Sequence, residues 1–232
     1  MAEGLVAAVS AALGDEIAEG TPGAAMMAKF GGAERCLKRY VAMSGGTDAE
    51  IAATAVRATI AFRTEHGVDD IEARITASGV LAKVEPYWFS SFSPKACPDG
   101  SPIMYYKASV VDPSEIVANV TEDEFRDYYL YWMERGLGLQ LASLAAGRPT
   151  PGVVEIYDIG GVSFSQLHVS GLMMLSRVLG LGQLHYPENL TKGFLINAPW
   201  FGKGQEQQRP LPCVHTRPRS ARATLRPLRT RY

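Results

Sequence analysis

Cysteine is scarce in this chain: Cys36, Cys97 and Cys213 are the only three. They are odd in number, widely spaced and form no CxxC pair, so neither a disulfide framework nor a zinc site is expected. No stretch approaches the roughly 18 consecutive apolar residues that span a bilayer as a helix. Signatures of common chemistry are missing as well. There is no GxxxxGK[ST] phosphate loop, and no serine sits in a GxSxG elbow. Gly136-Leu137-Gly138 and Gly180-Leu181-Gly182 lack a third glycine and follow helical rather than strand patterns, which argues against a dinucleotide fingerprint.

What is present suits a globular body. The chain has 232 residues, of which 47% are hydrophobic, enough for a sizeable core in about one or two domains. The first residues hold a weak apolar patch, Leu5 to Val9, but Glu3 stands where a secretory signal would carry basic residues. A short amphipathic helix is expected there, and a cytoplasmic location. On that reading the sequons at Asn119 and Asn189 are coincidences. Charge is unevenly spread. From Gly204 to Tyr232 seven arginines face only Glu206, a net of +6, which leaves −7 for the remainder of a chain whose total is −1.

The first third reads as helices. Thr21-Pro22 is an N-cap followed by proline at the first helical position. Gly31-Gly32 interrupts, and Ala33 to Met43 continues as a second helix. Thr47 to Glu50 has the form of a capping box with Thr47 at the cap. The helix behind it runs to His66, where Gly67 stops it. After Lys83 the pattern changes. Tyr87-Trp88-Phe89 is strand-like, Cys97 to Pro102 is a turn, and Ile103 to Val111 is a β-branched and aromatic strand. Thr121 to Glu124 is a second capping box, opening a long helix with Phe125, Tyr129, Trp132 and Gly136 on one face. Arg148-Pro149 ends it. A strand from Val153 to Ile159, a helix from Ser165 to Leu181 and a strand from Phe194 to Ala198 predict a parallel βαβ unit with a right-handed crossover. Gln205 to Tyr232, rich in Arg and Pro and without hydrophobic periodicity, is expected to be disordered.

The four histidines offer little chemistry. His168 follows the strand carrying Asp158, yet no nucleophile accompanies the pair. His185 and Glu188 flank a proline and read as a surface turn rather than a metal site. What remains is apolar material in two helices, Phe125 to Met133 and Leu172 to Leu179. This is ordinary core or the wall of a cavity in which flexible Met side chains accommodate an apolar ligand, and periodicity does not separate the two.

Three motifs point further. Asp99-Gly100-Ser101-Pro102-Ile103, Asp158-Ile159-Gly160-Gly161-Val162, and Tyr186-Pro187-Glu188-Asn189-Leu190 leading into Phe194-Leu195-Ile196-Asn197-Ala198-Pro199-Trp200 resemble the CRAL-TRIO lipid-binding family in order and spacing. The resemblance covers roughly residues 20–202. It implies an α/β fold: an N-terminal helical segment, then a mixed, largely parallel sheet flanked by helices, incomplete at its C-terminal end. The corresponding division is an extension over 1–20, a helical domain over 21–80, a truncated lipid-binding domain over 81–203 and a disordered basic tail over 204–232. The implied function is non-enzymatic binding of a lipid or apolar small molecule, without cofactor or metal, with transient membrane contact and no nucleic-acid partner. A regulatory domain that docks on membranes or proteins without cargo is the alternative.

The implied cavity would draw Met104, Tyr105, Val154, Ile156 and Ile196 from strands. Tyr129 and Met133 would come from the long helix, and Leu172, Leu175, Arg177 and Leu179 from the helix after it. Two departures from the family stand out. The family's gate helix is replaced by the Arg/Pro tail, and Arg177 stands where inositol-lipid carriers of the family place an acid.

Overall fold

Side-chain caps open four helices of the computed structural model, which describes residues 2–162 and 169–198. Thr21 accepts from the Ala24 amide and opens α2 (Pro22–Lys29), as its sequence predicts. The cap of α4 (Ala49–Glu65) is Asp48 rather than Thr47, because the Asp48 carboxylate accepts from both Glu50 and Ile51 amides. Gly67, at φ 55°, ends that helix in the left-handed region. Two further helices, α1 (Ala2–Leu13) and α3 (Ala33–Met43), pack against α4. The segment 1–20 therefore takes part in the core: Val9 and Leu13 are buried with Phe30, Leu37, Tyr40 and Val56.

Two short helices, α5 (Ile71–Ser78) and α6 (Val80–Val84), lead into a four-stranded sheet. Strand β1 (Phe89–Ala96) pairs antiparallel with β2 (Pro102–Lys107) across the Cys97–Pro102 turn. Gly100, at φ 87°, makes that turn, and Asp99 Oδ1 accepts from the Ser101 amide. β2 stops at Lys107, short of the expected Val111, because residues 108–110 form a single 3-10 turn. Asp112 then caps a helix that the sequence reading does not contain, α7 (Pro113–Asn119). Its Asp-Pro start matches the cap-then-proline pattern of Thr21-Pro22.

The capping box at Thr121 and Glu124 is complete, and it opens α8 (Glu122–Ala145). This helix is buried on several sides, as befits one at the centre of a fold. Leu130, Met133 and Leu137 join the core of the N-terminal helices, while Phe125 and Tyr128 join a second cluster with Ile116, Leu175 and Val178. Strand β3 (Val153–Asp158), helix α9 (Val169–His185) and strand β4 (Leu190–Ile196) complete the chain's described part. The β3–β4 pair is parallel, as the βαβ pattern predicts, and β2–β3 is parallel too. α9 runs through Gly180 and Gly182 to His185, and β4 begins at Leu190 rather than Phe194. The expected start of α9 at Ser165 and the basic tail at 204–232 lie outside the described residues.

Register sorts the strands into two faces. Met104 pairs with Glu155 and Tyr106 with Tyr157, and these four side chains share the face that meets α8. Tyr105, Val154, Ile156 and Ile196 occupy the other face, where Phe194 and Ile196 are 37% and 38% exposed.

Candidate functional site

A cavity of about 560 Å³ lies between α8, α9 and the helix-facing side of the sheet, within the roughly 300–1,000 Å³ of small-molecule sites. Its floor is Tyr106, Glu155 and Tyr157. Tyr129 and Met133 of α8 form one wall, and Leu179, Gly182 and Gln183 of α9 another. The segment Tyr186 to Leu190, with Met43 and Trp88, closes the rim. Three of the eleven sequence-expected residues meet here: Tyr129, Met133 and Leu179.

The others sit elsewhere for clear reasons. Met104 shares the cavity's face of the sheet but is fully buried in a cluster with Phe92 and Trp132. Leu175 packs with Phe125 and Ile116 in the second core cluster. Tyr105, Val154, Ile156 and Ile196 point to the opposite side of the sheet, since successive strand residues alternate. Leu172 is 41% exposed on the outside of α9. Arg177, expected at the cavity wall, projects outward and forms a bidentate ion pair with Glu122 at 2.9 and 2.6 Å.

The acid at the floor is Glu155, itself 8% exposed. Tyr106 Oη donates to its Oε1 at 3.4 Å, and Tyr157 Oη donates to Oε2. The two phenol rings are stacked, 5.0 Å apart and 11° from parallel. Burial raises the Glu155 carboxyl above the usual carboxylate range, and the two tyrosine hydrogen bonds offset part of that rise. Burial, first, and the neighbouring Glu155 charge raise both tyrosines. Sequence reasoning misses all three residues. The available signal is Glu155 itself, an acid inside the apolar strand VVEIYD.

Around the cavity, polar networks hold the wall. Tyr186 Oη donates to Glu134 Oε1 at 2.7 Å, and Glu134 takes both Arg63 Nη atoms at 2.7 and 2.9 Å. Asn189 Oδ1 accepts from Gln140 Nε2 at 2.8 Å, and Gln140 Oε1 accepts from Arg39 at 2.8 Å. His185 stacks on Phe62 with ring centroids 3.9 Å apart, its Nδ1 3.0 Å from Thr59 Oγ1.

None of this is a nucleophile-and-base arrangement. Cys36 is buried in the core, which pushes its thiol up to about 12. Asp158 is engaged by Tyr105 Oη at 2.7 Å, Asn197 Nδ2 at 2.9 Å and the Gly160 amide. His168 lies outside the described residues. Among the described residues no group of three His, Cys, Asp or Glu side chains is placed to hold a metal.

Burial and the positive charges of His66 and Arg63 lower His185 to about 4. Its folded pKa thus lies below the roughly 6.5 of a free histidine. The unfolded chain binds the proton first, so stability is complete above about pH 6.5 and falls as pH drops towards 4. In urea titrations across that window, His185→Phe is expected to flatten this acid limb. An unchanged slope would assign the limb to other groups.

Residues 93–205 match the family profile described as the CRAL/TRIO domain. That stretch, just under half of the chain, is similar to the CRAL/TRIO domain. Among curated proteins, the chain is 28% identical over 145 residues to the Sec14 cytosolic factor of Schizosaccharomyces pombe, covering 60% of this chain and 48% of that one. It is 26% identical over 102 residues to the phosphatidylinositol/phosphatidylcholine transfer protein SFH7 of Arabidopsis thaliana, covering 43% of this chain and 19% of that one. The solved structure of Sfh5 superposes with a TM-score of 0.57 at 16% identity, over 80% of this chain and 59% of the other, a likeness of fold. The chain spans between about a fifth and about a half of the length of the curated relatives it matches. The CRAL/TRIO match begins inside β1 and takes in the cavity floor, α8, α9 and the Tyr186–Leu190 rim. Met43 and Trp88, also at the cavity, precede it.

Proposed function

We propose that this chain is a non-enzymatic carrier or sensor that holds a lipid or other apolar small molecule in the cavity between α8, α9 and the sheet. The observation that carries this reading is the lining. Met43, Met133, Leu179 and five aromatic side chains surround a volume of small-ligand size, a surface suited to hydrocarbon and able to repack around it. The names of the Sec14 and SFH7 relatives support it, since one of them is a phospholipid transfer protein. Loading and release would take place at membrane surfaces, where such ligands reside.

Titration with a fluorescent acyl-chain probe is expected to saturate at about one ligand per chain, driven mainly by burial of the chain. Organic extraction of the purified protein followed by mass spectrometry is expected to yield a bound apolar molecule. Leu179→Trp, which fills the wall of the cavity, should weaken the probe about ten-fold, near 1.4 kcal/mol. Folded protein that shows no saturable binding would overturn the proposal.

A further inference from the structure

The cavity's hydrogen-bond inventory is lopsided. Five aromatic side chains with an N–H or O–H line it, and every one of those donors is already engaged. Trp88 Nε1 donates to Ser90 Oγ, Tyr129 Oη to the Leu179 carbonyl, and Tyr186 Oη to Glu134. Tyr106 and Tyr157 both donate to Glu155. No Lys, Arg or His belongs to the lining among the described residues, whereas Glu155 lies at the floor and Glu188 at the rim. An anionic ligand end needs donors or a cation when it leaves water. This cavity offers it two acids, committed aromatic donors and, besides these, only neutral side-chain amides, Gln183 on the α9 wall and Asn189 at the rim, with no cation to balance its charge.

Glu155, by contrast, has capacity to spare. A carboxylate provides about four lone-pair sites, and two phenol hydrogen bonds occupy only part of them. A ligand end that donates a hydrogen bond finds an acceptor at the floor, with the stacked Tyr106 and Tyr157 rings beside it. Aromatic faces favour a cationic donor as well as an apolar one.

We infer that Glu155 is the selectivity residue of this cavity: it admits an amphiphile whose polar end donates hydrogen bonds, an alcohol or an amine, and turns away anionic ends. The inference rests on the cavity reading above and adds the class of ligand to it. Sequence alone does not announce it, because Glu155 meets Tyr106 only through the β2–β3 register.

The test uses three probes with the same hydrocarbon chain, oleyl alcohol, oleylamine and oleate, each competing at neutral pH against a fluorescent acyl probe on the full chain. The alcohol and the amine are expected to bind at least about ten-fold tighter than oleate. The ratio between those two arms shows whether the donor is neutral or cationic, and either order supports the inference. Glu155→Gln removes the charge and supplies an amide donor, so oleate should gain about ten-fold and the gap should close. Glu155→Met, apolar and of similar length, provides a second variant, and it too should lose the discrimination against oleate. Wild-type protein that binds oleate as tightly as the alcohol overturns the inference while leaving the cavity reading intact. So does a gap that survives in both variants. Failure of all three probes to compete overturns the cavity reading and this inference together.

Discussion

Arg63→Met is expected to destabilise the protein by about 3–5 kcal/mol, the range for removing one partner of a buried ion pair. The Arg63 side chain is 3% exposed and that of Glu134 9%. Two hydrogen bonds join them, Asp69 adds a third at 2.5 Å, and Tyr186 donates to the same Glu134 carboxylate. Without the guanidinium, Glu134 is left buried with one phenol for company. The loss therefore measures an uncompensated charge rather than the strength of the pair. A double variant, Arg63→Met with Glu134→Met, should recover most of the stability, because an apolar replacement removes both desolvation penalties. Urea denaturation of the two single variants and the double variant checks this. Additive losses, with the double variant worst, would contradict it.

The second large effect is steric. An alanine methyl at Gly171 would overlap the Pro113 carbonyl oxygen and the Pro113 Cβ, far inside van der Waals contact with both. Both atoms belong to the rigid start of α7, so the α7–α9 seam must open. Overpacking of this kind costs about 1–3 kcal/mol. At Gly180, on the same helix, an added methyl would meet nothing within 4 Å. There alanine should be neutral or stabilising by about 0.5–1 kcal/mol, through the lower flexibility of the unfolded chain. The thermal unfolding midpoint should fall for Gly171→Ala and hold or rise for Gly180→Ala. Equal shifts would mean that helix propensity, not the contact with Pro113, governs the position.

Local chemistry was legible in the sequence. The caps at Thr21 and Thr121, the stop at Gly67, the turn at Gly100 and the parallel β3–α9–β4 unit depend on residues close together in the chain. Where two local signals compete, the sequence misleads. The β-branched run Val110-Val111 prolongs the strand pattern of β2 in the sequence and hides Asp112-Pro113, the start of α7. Thr47 and Asp48 are both capping residues, and only the backbone geometry decides for Asp48.

The cavity was less legible, because it depends on orientation. Tyr105 and Tyr106 are equivalent in composition, yet one faces Asp158 and the other Glu155. Strand parity settles which is which, and parity needs the register. Arg177 and Leu179 stand two residues apart on α9 and so lie on different sides of it. One meets Glu122 in solvent and the other lines the cavity. The family resemblance supplied the fold and the idea of a pocket, but not which faces would build it.

Tyr186 takes part in three things at once. It lines the cavity, it is buried in the same core as Val9, Phe30 and Tyr40, and it is held by Glu134 and, through it, by Arg63 of α4. The N-terminal helices are therefore more than a cap set on a separate lipid-binding unit. Side chains from residue 9 to residue 186 share a single interior, so opening the rim around Tyr186 draws on the packing of the whole helical half. If the cavity holds a ligand as proposed, cooperativity of this kind would make its exchange a matter of the molecule's overall free energy and would tie the lifetime of the bound state to sub-global opening of the fold.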